Sequence, residues 1–115
     1  MLEQVTIAAP DGATTISCNA LFSFIGAEPN SDWLEGVAVD EHGFVLTDRA
    51  VDDALLGDAW TALNRRPLPY ETSRPGLFAV GDLRSGSTKR VAAAVGEGSA
   101  AIRSVHEHLA LVPGA

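Results

Sequence analysis

The segment Glu71-Thr-Ser-Arg-Pro-Gly-Leu-Phe-Ala-Val-Gly-Asp82 is the strongest indicator of fold class in this chain of 115 residues. A Pro-Gly turn in it precedes the apolar run Leu77–Val80, which is followed by Gly81 and an acidic residue. A short apolar run without alternation is typical of a strand buried on both faces of a parallel sheet. Ligands of open α/β sheets bind beyond the carboxyl ends of the strands, so Asp82 is a candidate ligand residue, although an aspartate there also suits a simple turn.

A long amphipathic helix is predicted after this strand. Apolar residues keep one face for about five turns between Val91 and Leu109, and Ser87 is a suitable cap. Lys89 and Arg90 would then stand in the first turn, where basic side chains oppose the helix macrodipole. An anionic or electron-rich ligand atom at this N-terminus would remove the conflict, but two solvated side chains would explain the sequence as well.

The first half of the chain is predicted to be rich in β-structure. Val5–Ala9 and Thr14–Cys18 alternate around a Pro-Asp-Gly turn, which predicts a hairpin. Leu21–Ile25 is expected to form a third strand. Val37–Val39 and Phe44–Thr47 then flank Asp-Glu-His-Gly, which predicts a second hairpin. The expected fold class is therefore α/β, with an N-terminal β-hairpin or meander and a long C-terminal helix.

One further helix is predicted from spacing, and one glycine motif is assigned to the long helix. Val51–Leu63 carries apolar residues at helical intervals behind two aspartates. Gly96-Glu-Gly98-Ser-Ala-Ala101 matches the dinucleotide fingerprint G-x-G-x-x-A, but that motif must open a helix directly after a strand. The helical period runs through it, so these glycines are expected inside the long helix, where they would allow a close approach to a neighbouring strand.

Composition excludes several classes of function. The net charge of −7 disfavours binding to nucleic acid and to anionic membranes, and no apolar run approaches the roughly 18 residues of a membrane span. The first residues do not resemble a signal peptide, so a cytoplasmic location is expected. Cys18 is the single cysteine, and it is interpreted as a small buried hydrophobe rather than a reactive thiol. No catalytic set and no metal site is predicted, because no cluster has the required spacing.

Four segments, taken together and in this order, resemble the C-terminal part of bacterial thioredoxin reductase-like, FAD-dependent pyridine nucleotide-disulfide oxidoreductases. The resemblance covers nearly the whole chain and implies a single partial FAD/NAD(P)-binding, Rossmann-like domain over residues 1–115. Residues 1–25 would be a remnant of the return from the NADPH domain, and residues 26–115 the later part of the FAD domain. The four segments are Phe24–Asn30, Gly43–Thr47, Thr72–Asp82 and Lys89–Ala101.

The resemblance also implies the cofactor and its site. Where the missing N-terminal part complements the chain, FAD would be bound by Gly81, Asp82, Lys89, Arg90 and Val91. Asp82 would contact the ribityl chain, and Arg90 and Val91 would lie at the pyrimidine edge of the flavin ring, where Val91 would offer its backbone N–H. Many thioredoxin reductases have Arg-Gln-Ala at these last three positions, so the resemblance leaves the side-chain contacts there open while keeping the backbone contact.

Three parts of such enzymes are missing from the chain: the Gly-rich unit that holds the FAD pyrophosphate, the NADPH domain and the Cys-x-x-Cys pair. We therefore expect an FAD-binding segment that transfers no hydride alone, because it has no nicotinamide site. It should expose an unpaired edge and an apolar helix face, which a complementing N-terminal flavoprotein chain or a second copy would cover. The alternative is a non-catalytic binding or interaction protein built on a truncated flavoprotein fold.

Overall fold

A computed structural model describes residues 1–22 and 28–112 of the chain. Within these ranges the protein is α/β, with one pair of antiparallel strands at the N-terminal end and a long helix at the C-terminal end. The regular elements are β1 (Gln4–Ala9), β2 (Gly12–Ser17), α1 (Asp58–Leu63) and α2 (Val91–Leu111), with 3₁₀ turns at Asp48–Ala50, Asp53–Leu55 and Gly81–Leu83.

The N-terminal hairpin is confirmed. β1 and β2 pair in register from Gln4 opposite Ser17 to Ala9 opposite Gly12, and Gly12 has a φ of +134° at the tight connection. Nearly every residue of both strands is exposed. Both faces of the hairpin are therefore open to a further layer. Since an isolated two-stranded hairpin is only marginally stable in water, such a layer would stabilise it. The third strand predicted at Leu21–Ile25 lies mostly outside the described residues.

The central part of the chain is organised around Val45, which is completely buried. Val45 pairs with Val39 in an antiparallel bridge and with Arg84 in a parallel one. Its N–H donates to the carbonyl oxygen of Leu83 over 2.8 Å, and its carbonyl oxygen accepts from the N–H of Ser85 over 2.8 Å. The second predicted hairpin is therefore present as the single bridge between Val39 and Val45. The two backbone hydrogen bonds of Val45 fix the residues on both sides of Arg84.

The prediction of a buried parallel strand at Leu77–Val80 is wrong for the described residues. The segment folds back on the residues before it: Glu71 and Phe78 form an antiparallel bridge, and the N–H of Thr72 donates to the carbonyl oxygen of Leu77 over 2.8 Å. Of the run Leu77–Val80, only Ala79 is buried. The Pro-Gly turn thus lets Phe78 pair with Glu71 from the same loop. The described residues contain no parallel sheet.

The helix predicted from Val51 begins only at Asp58. The carboxylate of Asp52 accepts from the N–H of Ala54 over 3.2 Å and supports a 3₁₀ turn, because short polar side chains compete with helical hydrogen bonding. Gly57 then provides the extended residue at the start of α1. Trp60 anchors this short helix: it is buried, and its Nε1–H donates to the carbonyl oxygen of Ser73 over 2.7 Å.

Helix α2 runs from Val91 to Leu111, as the apolar spacing predicts. The buried face consists of Glu97, Ala101 and Ser104, whereas the large apolar residues point outwards, which confirms the expected exposed apolar face. Apart from chain neighbours and the helix's own backbone, no described atom lies within 4 Å of a Cβ built on either glycine inside the helix, so the expected close approach to a strand is not seen. The exposed apolar residues of α2 are Val91, Val95, Ile102, Leu109 and Leu111.

Candidate functional site

An open cleft of about 580 Å³ lies beside Asp82. Two of the five site residues predicted from the sequence, Asp82 and Lys89, line it. Gly81, which precedes Asp82 in the chain, is buried and does not line the cleft. Arg90 and Val91, which follow Lys89 in the chain, do not line it either. The cleft is lined by Glu28, Pro29, Asn30, Phe44, Asp82, Leu83 and Lys89.

Asp82 lies in the 3₁₀ turn Gly81–Leu83, and its side chain is exposed. Gly81 makes this turn possible. Its φ is +76°, a conformation that L-residues with a Cβ rarely adopt, and a Cβ there would lie 3.3 Å from the Cβ of Ala94 on α2. The turn is therefore pressed against the helix, and the Asp82 carboxylate is left able to accept hydrogen bonds from a ligand.

Lys89 precedes α2 rather than standing in its first turn, which corrects the prediction from sequence. Its Nζ donates to the carbonyl oxygens of Asp82 (2.8 Å) and Arg84 (3.3 Å) and lies 4.1 Å from the centroid of the Phe44 ring. An ammonium group over an aromatic face is attracted by the ring quadrupole. Lys89 therefore closes the loop before α2 and places a positive charge at the cleft.

The start of α2 has no side-chain cap among the described residues. Ser87, the predicted cap, instead donates to Glu97, and Arg90 is the N-cap residue without a side-chain hydrogen bond. The first turn carries no acidic residue. Since the first backbone N–H groups of a helix have no partner within it, and since they carry the positive end of the macrodipole, this terminus can bind an anionic or electron-rich group.

Glu97 was missed by the sequence analysis. Its carboxylate, on the buried face of α2, accepts hydrogen bonds from Gly81 N–H (3.1 Å), Arg84 Nε (2.7 Å) and Ser87 Oγ (2.5 Å). The Arg84 guanidinium lowers the pKa of Glu97 against the effect of burial, and with Ser87 and Gly81 it brings the pKa to about 2. The partners are 10 to 16 residues away in the chain, so no local pattern indicates them.

Asp40 fixes the Phe44 side of the cleft. One carboxylate oxygen accepts from the N–H groups of His42 (2.9 Å) and Phe44 (3.0 Å), and the other accepts from Ser85 Oγ (2.9 Å). Burial raises the pKa of Asp40, but these hydrogen bonds outweigh it and hold the pKa below the ordinary value. The turn that carries Phe44 is thereby tied to the segment that follows Asp82.

A second buried carboxylate joins the loop before Asp82 to the far end of α2. Glu71 is completely buried and accepts from Arg65 at both oxygens (2.7 and 3.1 Å), from Leu68 N–H and from Gly76 N–H. Burial raises its pKa, yet these donors hold the pKa below the ordinary value. Arg65 also donates to Nδ1 of His108 over 2.8 Å, and since a guanidinium cannot accept, Nδ1 carries no proton. This network is structural.

The described residues offer no metal site and no membrane span. In residues 1–22 and 28–112, no three His, Cys, Asp or Glu side chains come together in a way that could hold a metal ion. No helix in the same ranges is both long enough and apolar enough to cross a bilayer.

Comparison with known proteins places the similarity among bacterial reductases. The chain is 32% identical over 96 residues to an alkyl hydroperoxide reductase protein of Pseudomonas aeruginosa, the component designated F, and 30% identical over 95 residues to its counterpart of the same name in Pseudomonas putida. These matches cover 83% and 82% of this chain but 15% of each relative, so the chain spans about 15% of their length. No protein-family model matches the chain. The chain is thus similar to a short segment of an oxidoreductase component.

Proposed function

We propose that this chain is an FAD-binding segment of a thioredoxin reductase-like flavoprotein oxidoreductase, in which electrons pass from NADPH through the flavin to a disulfide or another acceptor. One observation carries the proposal. Asp82 and Lys89, both named by the resemblance, line one cleft, and Lys89 lies two residues before the start of α2, for which the described residues provide no side-chain cap. The similarity to a reductase component supports the class of chemistry.

The residues present fit the part of FAD that the proposal assigns to them. The exposed Asp82 carboxylate would accept hydrogen bonds from the ribityl hydroxyls, and the backbone N–H of Val91 would donate to the electron-rich edge of the ring. Lys89 and Arg90 would add positive charge near that edge. The flavin would supply the hydride and electron transfer chemistry, which no side chain of the described residues provides.

The domain assignment is part of the same proposal. Residues 1–25 would belong to the return from an NADPH-binding domain and residues 26–115 to a Rossmann-like FAD domain. The fold supports this division in one respect: the exposed hairpin β1–β2 makes its paired hydrogen bonds within itself, whereas the cleft is built by residues from 28 onwards. The junction itself includes residues outside the described ranges.

A partner is proposed because the chain leaves much apolar surface uncovered. The outward face of α2 exposes Val91 by 83% and Val95 by 69%. A flavoprotein chain carrying the Gly-rich motif would cover this face and complete the pyrophosphate site, and a second copy of this chain is the other arrangement to consider. A cytoplasmic location also belongs to the proposal.

The second candidate function is a non-catalytic interaction protein on a truncated flavoprotein fold. The same exposed helix face favours it, because a large apolar stripe serves binding whether or not a cofactor is present. A stable dimer that is indifferent to FAD would support this candidate. Turnover of NADPH by this chain alone with an artificial acceptor would contradict both candidates, since neither provides a nicotinamide site.

The test of FAD binding is a titration of the purified chain, followed by flavin fluorescence and by thermal shift. We expect saturable binding that is weakened about tenfold or more in Asp82→Ala, because the ribityl hydroxyls would lose their acceptor. Glu107→Gln is the matched control: it removes an exposed carboxylate from α2 and should leave binding unchanged. A folded wild-type chain that shows no saturable binding would contradict the proposal.

A further inference from the structure

One carboxylate holds both ends of the loop that carries Asp82. Glu97 accepts from the N–H of Gly81, the residue before Asp82, and from the hydroxyl of Ser87, two residues before Lys89. Arg84, between these positions, donates its Nε–H to the same carboxylate over 2.7 Å. The segment 81–87 is thus joined to α2 at its beginning, middle and end through a single side chain.

The same segment is also held by its bridge to Val45 and by Lys89, but these contacts leave the Gly81 N–H and the Ser87 hydroxyl to Glu97. Gly81 and Gly86 both adopt positive φ values, +76° and +83°, and the Asp82 side chain itself is exposed. A loop with left-handed glycines has high conformational entropy when unfolded, so it needs fixed hydrogen bonds to hold one geometry. The carboxylate supplies three of them from a buried position, with 9% of the residue exposed.

We propose that Glu97 is a positioning residue of the cleft: it fixes segment 81–87 on α2 and thereby places Asp82 and the start of the helix for ligand binding. This inference rests on the proposed binding of FAD for its ligand, but the positioning itself is a property of the protein alone. Nothing in the resemblance assigned a role to Glu97, which in the sequence stands inside the rejected dinucleotide fingerprint.

All three hydrogen bonds run towards the Glu97 carboxylate, which accepts at both oxygens. In Glu97→Gln the amide oxygen can take the position of Oε1 and keep the bonds from Gly81 and Arg84, while the NH₂ group can donate to the Ser87 hydroxyl, which also accepts. In Glu97→Ala all three donors lose their acceptor. The alanine variant is therefore the one in which Gly81 N–H should become unprotected.

The first experiment needs no ligand. Amide hydrogen exchange of the whole chain is measured for the wild type, Glu97→Ala and the control Glu107→Ala. We expect exchange at Gly81 to be at least about tenfold faster in Glu97→Ala. Exchange at Ala79, whose N–H donates to the carbonyl oxygen of Tyr70, should be unchanged. Equal acceleration at Gly81 and Ala79, or none at Gly81, would overturn the positioning role.

The second experiment is a double-mutant cycle on FAD affinity with Glu97→Ala and Asp82→Asn. If Glu97 acts by placing Asp82, its substitution weakens binding about tenfold in the wild-type background. In the Asp82→Asn background it has a much smaller effect. Equal effects in both backgrounds would show that Glu97 does not act through Asp82 and would overturn the inference.

The two experiments separate this inference from the proposed function. If the wild-type chain is folded but does not bind FAD, the proposed function fails, and hydrogen exchange at Gly81 alone decides whether Glu97 fixes the loop. If FAD binds and Glu97→Ala binds it as tightly as Glu107→Ala does, the proposed function stands and the positioning role fails.

Discussion

Glu71 shows how a buried charge can hold an irregular part of this chain together. Its carboxylate is completely buried and is satisfied by Arg65 and by two backbone N–H groups, from Leu68 and Gly76. Removing one partner of a buried, hydrogen-bonded ion pair costs more than the pair contributes, because the other charge remains buried. The residues from 65 to 76 contain no helix or strand, so they depend on this side chain.

We expect Glu71→Gln to lower the free energy of unfolding by about 3 kcal/mol, because Arg65 and two backbone donors would face a neutral amide. Urea unfolding followed by tryptophan fluorescence measures this change. Glu107→Gln, at an exposed position of α2, should stay within about 0.5 kcal/mol of the wild type. Equal stability of the two variants would show that the buried network does not stabilise the fold.

The second prediction for a single residue concerns pH. The pKa of Glu97 is lowered from 4.5 to about 2, so this carboxylate stabilises the folded state fully above about pH 4.5, and the contribution is lost as the pH falls towards 2. Stability should therefore fall more steeply in the wild type than in Glu97→Gln over that window. Urea midpoints measured between about pH 6 and about pH 3 test this, and parallel curves for the two proteins would contradict it.

Two of the site residues predicted from the sequence line the cleft, and their binding role stays a prediction. Asp82 and Lys89 could be predicted because local sequence signals mark their positions. Asp82 follows a glycine at a turn, and Lys89 precedes a segment with helical spacing. Glu97 and Glu71 were not found, since their partners come from distant or irregular segments and depend on the tertiary fold. Lys89 itself was assigned to the wrong position, because its carbonyl and aromatic partners decide its place, and the helix begins two residues later.

Among the secondary-structure elements, two glycines near α2 should respond oppositely to alanine. Gly81 has a φ of +76°, and its Cβ would meet Ala94 at 3.3 Å, whereas a Cβ on Gly96 would meet no described atom. Gly81→Ala should lower the free energy of unfolding by more than about 1 kcal/mol. Gly96→Ala should raise it by up to about 1 kcal/mol, because alanine is the better helix former.

Thermal unfolding of both variants and the wild type measures these two changes. A Gly96→Ala variant that is clearly less stable than the wild type would show that this face of α2 is in contact with another surface, such as a second copy. A Gly81→Ala variant as stable as the wild type would contradict the close packing of the turn on the helix.

The elements that sequence predicted well are those that local signals determine. The hairpin follows from alternation around a Pro-Asp-Gly turn, and α2 follows from an apolar period kept over its whole length. The helix predicted from Val51 was cut short because Asp52 binds the backbone of Ala54 and Gly57 interrupts the pattern. Leu77–Val80 was misjudged because an apolar run does not reveal which partner pairs with it.

At the scale of the whole chain, the described residues have an extended shape and an uncovered apolar stripe. It measures 66 × 29 × 22 Å, with a radius of gyration of 20.2 Å, where a compact domain of this size has about 13 Å. The apolar residues Val91, Val95, Ile102 and Leu109 stand exposed along α2 at helical intervals. Such a shape and such a stripe are expected of a segment that folds against a further surface. From the sequence, this expectation came only from the resemblance, because parts of the resembled enzymes were not found in the chain.

We expect the purified chain to associate through this stripe when no partner is present. Val95→Ser with Ile102→Ser should reduce association measured by sedimentation velocity, because each apolar side chain contributes about 1.5 to 3 kcal/mol on full burial. The unfolding free energy of the monomer should change little, since both side chains are exposed. A wild-type chain that stays monomeric at high concentration would contradict the prediction of self-association.

The proposed function depends above all on a flavin site formed by Asp82 and the start of α2. Backbone amide chemical shifts, recorded by NMR during an FAD titration of the isotopically labelled chain, locate such a site residue by residue. We expect saturable shifts that are largest at Asp82 and Leu83 and at Val91 and Ala92, and that are small in the hairpin β1–β2. Saturable shifts centred elsewhere, or none at all in a folded chain, would contradict the proposed flavin site.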